Sequence, residues 1–355
     1  MIGVCGFLAT GSSAVLDYLK EFDELCVLDR DEFLLLYYPD GLEDLDYHLN
    51  VNCSKYISST VAIERFRRAL YNLYRYSGNK KTGRAMIDAG EDFIKKITQV
   101  KWTGRSNMDF QLDCPPSYKG FDHHRFGIKL LRKTIVTPLS RKLKKTVGLG
   151  LHDMEFAMNP EGFDDAAKEF IHRIEELMGA DFSKEIVLNQ PFCGNNPQKG
   201  FKYFDNPRAI VVDRDPRDHY LFSKRFLLNK AGPIPVESAE KYVKYYRAQR
   251  MDRGYTADDP NVLKIRFEDM IYDYEATTEK IRKFAGLEGL KSAHRYFAPE
   301  LSINNTQMFK RFPEHEEEVR YIEKELPEFL YPFEKYGDIK PDGKMFYGRS
   351  PLNKR

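Results

Sequence analysis

The segment that most constrains this chain is a short glycine-bounded loop, residues 6–13, which follows an apolar run and precedes a helical pattern. The run Ile2–Gly6 predicts a buried strand, and apolar residues at helical spacing predict a helix over 13–22. A loop in this position offers peptide N–H groups and a helix N-terminus, and both favour an anion. The spacing is that of a phosphate loop in which Ser12 stands where a nucleoside triphosphatase has lysine. The alternative is an ordinary glycine-rich turn.

Strand-like and helical runs alternate along the rest of the chain, which is typical of an α/β fold. We predict a three-layer sandwich with a central parallel β-sheet of the P-loop type, in a single domain over 1–355. Residues 47–159 are rich in Tyr, Phe and basic side chains, and we predict a largely helical insertion there that covers the ligand edge of the sheet. The predicted strands are Ile2–Gly6, Leu25–Leu28, 186–189, 209–213 and 262–267. The predicted helices are 13–22, 166–178, 219–228, 276–285 and 316–326.

A second strand end carries a candidate anion anchor. The buried run 209–213 ends in an Arg-Asp-Pro-Arg-Asp turn, in which Pro216 suits the first turn of a helix. Arg214 therefore lies at the carboxyl end of a strand, where its guanidinium can bind a phosphate through two parallel hydrogen bonds. The alternative is that Arg214 and Arg217 pair with the aspartates around them.

Composition narrows the class of protein. No apolar run approaches the roughly 18 residues that predict a membrane span. The five cysteines are scattered without metal-ligand spacing, so we expect reduced thiols and no metal site. Met1 directly precedes the first predicted strand, without a basic region or a cleavage site, and we therefore expect a cytoplasmic protein.

The net charge is only +2, but the cations are unevenly distributed. Residues 123–152 contain no acidic side chain and carry eight Lys and Arg residues. Three interpretations are open: a solvated surface, a surface that meets an anionic acceptor, and a peripheral contact with an anionic membrane. No nucleic-acid motif accompanies this stretch, so we do not expect a nucleic acid as partner.

Taken together, four segments resemble the sulfotransferases that use 3′-phosphoadenosine-5′-phosphosulfate. Gly6-Phe-Leu-Ala-Thr-Gly-Ser-Ser13 is similar to the family loop Gly-Phe-Pro-Arg/Lys-Ser-Gly-Thr-Thr. Val212-Asp-Arg-Asp-Pro-Arg-Asp218 is similar to the family's strand end Val-x-Arg-Asp-Pro-Arg-Asp. Ile265-Arg-Phe-Glu-Asp-Met270, followed by Asp273 to Thr277, and the C-terminal segment 302–312 resemble two later family segments. The resemblance covers about 1–35 and 185–335 and leaves the middle of the chain unassigned.

The resemblance implies a sulfotransferase fold and transfer of a sulfuryl group, without a metal, to a hydroxyl of a sterol, lipid or carbohydrate acceptor. It implies that the first segment binds the donor's 5′-phosphosulfate, that Arg214 binds its 3′-phosphate, and that the insertion forms the acceptor site. Phe267 replaces an adenine-stacking tyrosine, and Ser223 lies one place beyond the family's usual serine partner of the 3′-phosphate. The candidate donor-binding residues are Gly6, Ala9, Thr10, Gly11, Ser12, Ser13, Arg214, Ser223, Phe267, Asn305, Thr306, Lys310 and Arg311.

Two catalytic groups remain open at this stage. The family's loop cation falls at Ala9, so we expect a cation from elsewhere, with Lys310 or Arg311 as candidates. Glu32 resembles the glutamate base of bacterial and glycan-type members. Cytosolic small-molecule members use a histidine instead, and the candidates here are His123, His124 and His152.

Two other functions also remain open. A kinase or hydrolase on the same scaffold is disfavoured by the missing loop lysine, and magnesium-independent activity would separate it from a sulfotransferase. A nucleotide-binding protein that has lost its catalytic cation at Ala9 would bind the nucleotide without transferring sulfate.

Overall fold

The computed structural model describes residues 1–53, 58–75, 79–104, 130–143, 152–227, 232–251, 258–289, 294–336, 341 and 343–346. Packing divides the chain into a first unit, Met1–Tyr37 with Ile171–Arg355, and a second unit, Tyr38–Phe170. The insertion predicted over 47–159 falls within the second unit, and its role in binding an acceptor stays a prediction.

The strands, in chain order, are β1 (Ile2–Gly6), β2 (Leu25–Leu28), β3 (Val100–Gly104), β4 (His152–Phe156), β5 (Glu185–Asn189), β6 (Arg208–Asp213) and β7 (Val262–Arg266). The α-helices are α1 (Ser12–Leu19), α2 (Leu42–Asp46), α3 (Ser58–Tyr74), α4 (Lys80–Ile97), α5 (Thr137–Leu143), α6 (Phe163–Met178), α7 (Pro216–Phe226), α8 (Ala239–Arg250), α9 (Asp269–Tyr272), α10 (Tyr274–Ala285), α11 (Pro299–Ser302) and α12 (Glu316–Glu325). Two π-helical turns cover Tyr47–Val51 and Arg132–Val136. Short 3₁₀ turns cover Pro197–Tyr203, Ile303–Asn305, Met308–Lys310, Pro313–His315, Pro327–Phe329 and Phe333–Tyr336.

The first unit is built on a five-stranded parallel sheet with the order β2-β5-β1-β6-β7. Its central strands are nearly continuous apolar runs, as expected where both faces of a parallel sheet are covered. β1 and β6 pair along the whole of β1, with Gly6 opposite Val212, so the segments that follow them begin side by side. β1 lies between β5 and β6, so the strands that follow it in the chain lie on both sides of it and the strand order reverses at this strand. Open α/β sheets usually bind their ligands at such a reversal. The predicted α/β fold and all five predicted strands are confirmed.

Both faces of the sheet are covered, consistent with the predicted three-layer sandwich. On one face, Val15 and Leu19 of α1 and Ile281 of α10 pack with apolar side chains of the strands. On the other face, the ring of Phe192 lies over Gly3, where an added Cβ would come within 2.6 Å of the ring. Gly3 therefore allows a close approach that any larger residue would prevent.

A second apolar cluster of the first unit joins α7, α8 and α12. Its centre is aromatic, with Tyr220, Tyr242 and Tyr246 fully buried. The sequence did not predict α8, which begins after Ser238, whose hydroxyl accepts a hydrogen bond from the N–H of Lys241.

The described part of the second unit is mostly helical and contains an antiparallel β3–β4 pair. Its core stacks the ring of Phe93 on that of Phe170, with centroids 5.1 Å apart. Arg67 of α3 donates to the carboxylates of Glu91 and buried Glu155, which ties α3 to α4 and to β4.

Candidate functional site

A cavity of about 290 Å³ lies in the first unit at the carboxyl end of the sheet. Its lining includes, for each of the five strands, a residue at the strand end or within two residues after it, which is the usual position of a ligand site in such a sheet. The cavity brings together eight of the residues that the sequence predicts for the site, namely Ala9, Gly11, Ser12, Ser13, Glu32, Arg214, Phe267 and Asn305.

The loop after β1 presents a run of unpaired peptide N–H groups. Phe7 N–H donates to Thr10 Oγ1 at 3.0 Å. The peptide N–H groups of residues 8–13 have no hydrogen-bond acceptor among the described residues. The backbone bends sharply here, because Ala9 and Gly11 have positive φ angles of 67° and 92°. Free N–H groups at a helix N-terminus are the usual protein site for an anion.

Two carbonyl groups of this loop are held by side chains that follow β6. His219 Nε2 donates to the carbonyl of Leu8 at 2.8 Å, and Arg214 Nη1 donates to the carbonyl of Ala9 at 3.2 Å. Burial lowers the pKa of His219 to about 3, so its ring is neutral and its single N–H faces Leu8. The hydroxyl of Tyr242 lies 2.8 Å from the other ring nitrogen. Both carbonyl dipoles are thus engaged by donors of the protein.

Arg214 is buried, with 2% of its surface exposed, and it lines the cavity. Its guanidinium lies 4.6 Å from the ring centroid of Phe222 and 5.0 Å from that of Phe267, and Nη2 donates to the carbonyl of Asn305. Its Nε–H has no acceptor among the described residues. Burial lowers the pKa of Arg214 from its ordinary value, and this effect outweighs the opposite influence of the carboxyls of Asp218, Glu268 and Asp215.

The aspartates around Arg214 pair with other arginines. Asp213 binds Arg250, and Asp215 binds Arg217 at 2.7 Å. No described carboxylate forms an ion pair with Arg214. The pairing considered from the sequence therefore occurs for Arg217 and not for Arg214. A buried guanidinium without a counterion is unfavourable, and a bound anion would relieve that cost.

The segment after α11 is fixed beside the cavity by Asp218. This carboxyl accepts hydrogen bonds from the N–H groups of Gln307 at 2.6 Å and Met308 at 2.7 Å. Burial raises the pKa of Asp218 to about 8, with a further contribution from Asp215. Two hydrogen bonds between Asn305 and the backbone of Phe346 hold that ring at the cavity wall.

Glu32 provides a carboxylate to the opposite part of the lining. The residue as a whole is exposed, and partial desolvation of its carboxyl raises its pKa from the ordinary value. Asp17 and Asp29 also line the cavity, but Lys20 pairs with both. Because no described cation pairs with Glu32, it is the carboxylate of the lining best placed to accept a proton.

Several predicted residues lie outside the cavity lining. Thr10 is buried and supports the loop, and the backbone N–H of Gly6 donates to the side chain of Gln190. Ser223 is fully buried, and its hydroxyl has no partner among the described residues. The side chains of the remaining three bind neighbouring groups or lie exposed: Thr306 bonds to Ile303, Arg311 donates to Asn304 and Gly343, and Lys310 is exposed. The proposed roles of these residues stay predictions.

The described lining of the cavity contains none of the histidine candidates for the base. His123 and His124 lie outside the described residues, and His152 begins β4 in the second unit. The replacement for the loop cation is not found in the lining either. Among the described lining residues, Arg214 is the only cationic side chain.

Sequence reasoning missed Gln190, which connects the loop to β5. Its Nε2 donates to Ser12 Oγ at 3.0 Å, and its Oε1 accepts from Gly6 N–H at 3.2 Å. A polar residue directly after a central strand was the available signal. Phe222, Phe297 and Phe346 were also missed, because their rings reach the cavity only through packing between distant segments.

Three solved structures that resemble this one are sulfotransferases. The sulfotransferase domain from the curacin biosynthetic pathway matches with a TM-score of 0.39 and 12% identity, over 81% of this chain and 74% of that one. The sulfotransferase domain from the Synechococcus PCC 7002 olefin synthase matches with a TM-score of 0.38 and 13% identity, over the same shares of 81% and 74%. Sulfotransferase STF9 from Mycobacterium avium matches with a TM-score of 0.37 and 13% identity, over 97% of this chain and 78% of that one.

The resemblance to sulfotransferases holds in structure. No protein-family model matches the sequence, and no curated protein matches it. TM-scores of 0.37–0.39 and identities of 12–13% carry nothing about donor, acceptor or activity, which therefore rest on the residues of the site.

The described residues contain neither a candidate metal-binding cluster nor a candidate membrane-spanning helix. No group of three or more His, Cys, Asp or Glu side chains is arranged to hold a metal ion in the part of the chain that the structure describes. Within the same residues, no helix has both the length and the apolar character needed to cross a bilayer.

Proposed function

We propose that this protein transfers a sulfuryl group from 3′-phosphoadenosine-5′-phosphosulfate to an acceptor hydroxyl. One observation carries the proposal: a single cavity is lined by two separate groups of hydrogen-bond donors suited to anions. One is the run of unpaired N–H groups over residues 8–13, and the other is the buried guanidinium of Arg214. The donor has anionic groups on both sides of its ribose, so two separate sites suit it better than one.

The residues of the cavity fit such a nucleotide. Phe267 and Phe297 offer aromatic surface for an adenine ring, and Phe267 packs against Gly11 of the loop. A donor without β- and γ-phosphates has no need of the lysine that triphosphate sites carry, which agrees with Ser12 at that position. The volume of about 290 Å³ is close to the lower end of typical ligand sites, roughly 300–1,000 Å³.

When bound, the donor supplies the sulfuryl group, and the chain's own residues bind and orient the donor and the acceptor. The N–H groups of residues 8–13 and the hydroxyls of Ser12 and Ser13 would stabilise charge at the 5′ side. Gln190 fixes the Ser12 hydroxyl, so this donor is preorganised. The carboxylate of Glu32 would take the proton of the acceptor hydroxyl, and its raised pKa favours that role.

The acceptor is proposed as a hydroxyl of a sterol, a lipid or a carbohydrate, as the family resemblance implies. A nucleotide-binding protein without transferase activity is the second candidate, because Ala9 leaves the loop without its cation. Incubation with labelled donor and EDTA, against a panel of sterols, lipids and glycans, separates the two when the products are identified by mass. Nucleotide binding without transfer to any acceptor would favour the second candidate.

Arg214→Ala tests the site itself. Charge-assisted hydrogen bonds contribute about 1.5–3 kcal/mol each, so affinity for 3′-phosphoadenosine-5′-phosphate should fall roughly 10- to 100-fold in calorimetry. Affinity for adenosine-5′-phosphate, which lacks the 3′-phosphate, should fall by a smaller factor, about 3- to 10-fold, because the variant also loses the hydrogen bond from Arg214 to the Ala9 carbonyl. Arg225→Ala, which replaces an exposed arginine of α7, is the control. Equal losses for both nucleotides, or no loss for either, would contradict the assignment of Arg214 to the 3′-phosphate.

A further inference from the structure

Residues 130–143 of the second unit form an exposed helical segment, here called the basic–apolar helix. It comprises a π-helical turn, Arg132–Val136, and α5. Five large apolar residues on it are 40–55% exposed: Leu130, Leu131, Ile135, Leu139 and Leu143. Among its described side chains only Val136 is buried.

Four of these apolar residues recur at intervals of four. Leu131, Ile135, Leu139 and Leu143 therefore follow one another along one side of the helix, since residues four apart are neighbours on a helix surface. Over 14 residues such a stripe is roughly 20 Å long. Single exposed leucines are ordinary on a soluble protein, whereas a continuous apolar stripe marks a surface that binds something.

The cations of the basic–apolar helix indicate which kind of partner this surface binds. Lys133, Arg141 and Lys142 are exposed, and no described carboxylate pairs with them. The wider stretch 123–152 has no acidic residue. An apolar stripe accompanied by lysine and arginine is the pattern of a helix that lies in the interface of an anionic membrane. A second copy of the same helix would instead bring like charges together, which disfavours self-association.

We propose that the basic–apolar helix binds the surface of an anionic phospholipid bilayer. The leucine and isoleucine side chains enter the headgroup boundary, and the lysine and arginine side chains reach lipid phosphates along their aliphatic stems. This contact goes beyond sulfuryl transfer and does not depend on it. It selects one of the three interpretations that the charge distribution left open.

The test is co-sedimentation of the full chain with lipid vesicles. Vesicles of phosphatidylcholine alone are compared with vesicles that contain about one third phosphatidylglycerol, at low and at physiological salt. We expect binding to the anionic vesicles that weakens as salt is added, and little binding to the neutral vesicles. Absence of binding to the anionic vesicles at both salt concentrations would overturn the proposal.

Two variants separate charge from apolar insertion. Reversal of Lys133, Arg141 and Lys142 to Glu should lower partitioning to anionic vesicles by at least about tenfold. Ile135→Glu with Leu139→Glu should lower it by a similar factor while leaving the cations in place. The matched control reverses Lys80, Lys81 and Lys184, which are exposed lysines elsewhere on the chain, and should bind like the unaltered protein.

The results of these measurements distinguish a membrane surface from a second copy of the chain as the partner of the helix. Loss in both helix variants, with normal binding by the control, supports the membrane surface. Equal loss in the control would show that overall charge, and not this helix, attracts the protein, and would overturn the proposal. So would a dimer of the unaltered protein that Ile135→Glu with Leu139→Glu converts to a monomer, because the stripe would then be an interface between copies. All substituted residues are exposed, and thermal unfolding checks that the variants fold.

Discussion

Glu32 is the residue whose protonation should set the pH dependence of turnover. A base must be ionised to accept a proton, and desolvation raises the pKa of this carboxyl. We therefore expect kcat to fall as the pH drops through that raised pKa, at higher pH than an ordinary glutamate would give. Glu32→Gln should lower kcat by at least about a hundredfold and leave the affinity for 3′-phosphoadenosine-5′-phosphate unchanged. Glu24→Gln, an exposed glutamate, is the control, and normal turnover in Glu32→Gln would assign the base to another residue.

His219 acts on the loop through one hydrogen bond and is a positioning residue. His219→Phe keeps an aromatic ring but removes the donor to the Leu8 carbonyl. We expect a loss of about 3- to 10-fold in affinity for nucleotides that carry a 5′-phosphate, since a net hydrogen bond contributes about 1 kcal/mol. Affinity for adenosine-3′-phosphate should be nearly unchanged. His219→Gln, which can still donate to Leu8, should restore part of the loss, and a merely structural role would give the same loss for both nucleotides.

The elements that follow a clear apolar pattern were predictable, and those stabilised by distant charges were not. Four of the five strands of the sheet contain short apolar runs, and β7 mixes apolar with basic residues in a strand-like alternation, so the sequence predicted all five to within one residue at each end. α8 escaped prediction because its buried face carries tyrosines and Arg250, which is 1% exposed. Arg250 is buried because Asp213 of β6 binds it, and a pair 37 residues apart leaves no local pattern.

The part of the candidate site that follows the strands was predictable from the sequence, and the part formed by packing between distant segments was not. Ser12 in the segment after β1 and Arg214 directly after β6 were found because parallel strands bring their carboxyl ends to one edge. Residues that reach the cavity by packing between segments, such as Phe346, were not. The sequence could not tell which of Arg214 and Arg217 pairs with the neighbouring aspartates. The structure shows that Arg217 pairs with Asp215.

The loop between β1 and α1 depends on Gly11 for two separate reasons. Its φ of 92° lies in the left-handed region, and an added Cβ would come within 2.4 Å of the ring of Phe267. Gly11→Ala should therefore displace that ring and abolish detectable binding of 3′-phosphoadenosine-5′-phosphate in calorimetry. Gly179 has a similar φ of 98° but no atom within 4 Å of its added Cβ. Gly179→Ala should thus carry the backbone strain alone, roughly 1 kcal/mol, and bind the nucleotide normally. Equal binding by both variants would mean that the loop is not part of the site.

At the scale of the whole molecule, stability should depend on pH because the first unit buries three carboxyl groups with raised pKa values. Burial raises the pKa of Glu175 to about 7, of Glu268 to about 7 and of Asp218 to about 8. Between the ordinary pKa of each group and its raised value, the folded chain binds more protons than the unfolded chain. Stability is therefore expected to fall as the pH rises through this window, since the slope follows the difference in bound protons. Asp213 acts in the opposite direction, but its pKa of about 2 confines its effect to acidic solution.

Glu175 isolates this effect, because it lies on α6 away from the cavity lining and its pKa is raised mainly by desolvation. Raising the pH from 5 to 8 should cost about 2 kcal/mol through this group, since it must ionise while buried. Glu175→Gln cannot ionise, so its free energy of unfolding in urea should fall less over that range, by about the same 2 kcal/mol. Glu176→Gln removes the exposed neighbour that pairs with Arg173 and should follow the unaltered protein. If Glu175→Gln lost as much stability between pH 5 and 8 as the unaltered protein does, the carboxyl would have to be ionised or hydrated in the native state, and the destabilisation at high pH would belong to Asp218 and Glu268 beside Arg214.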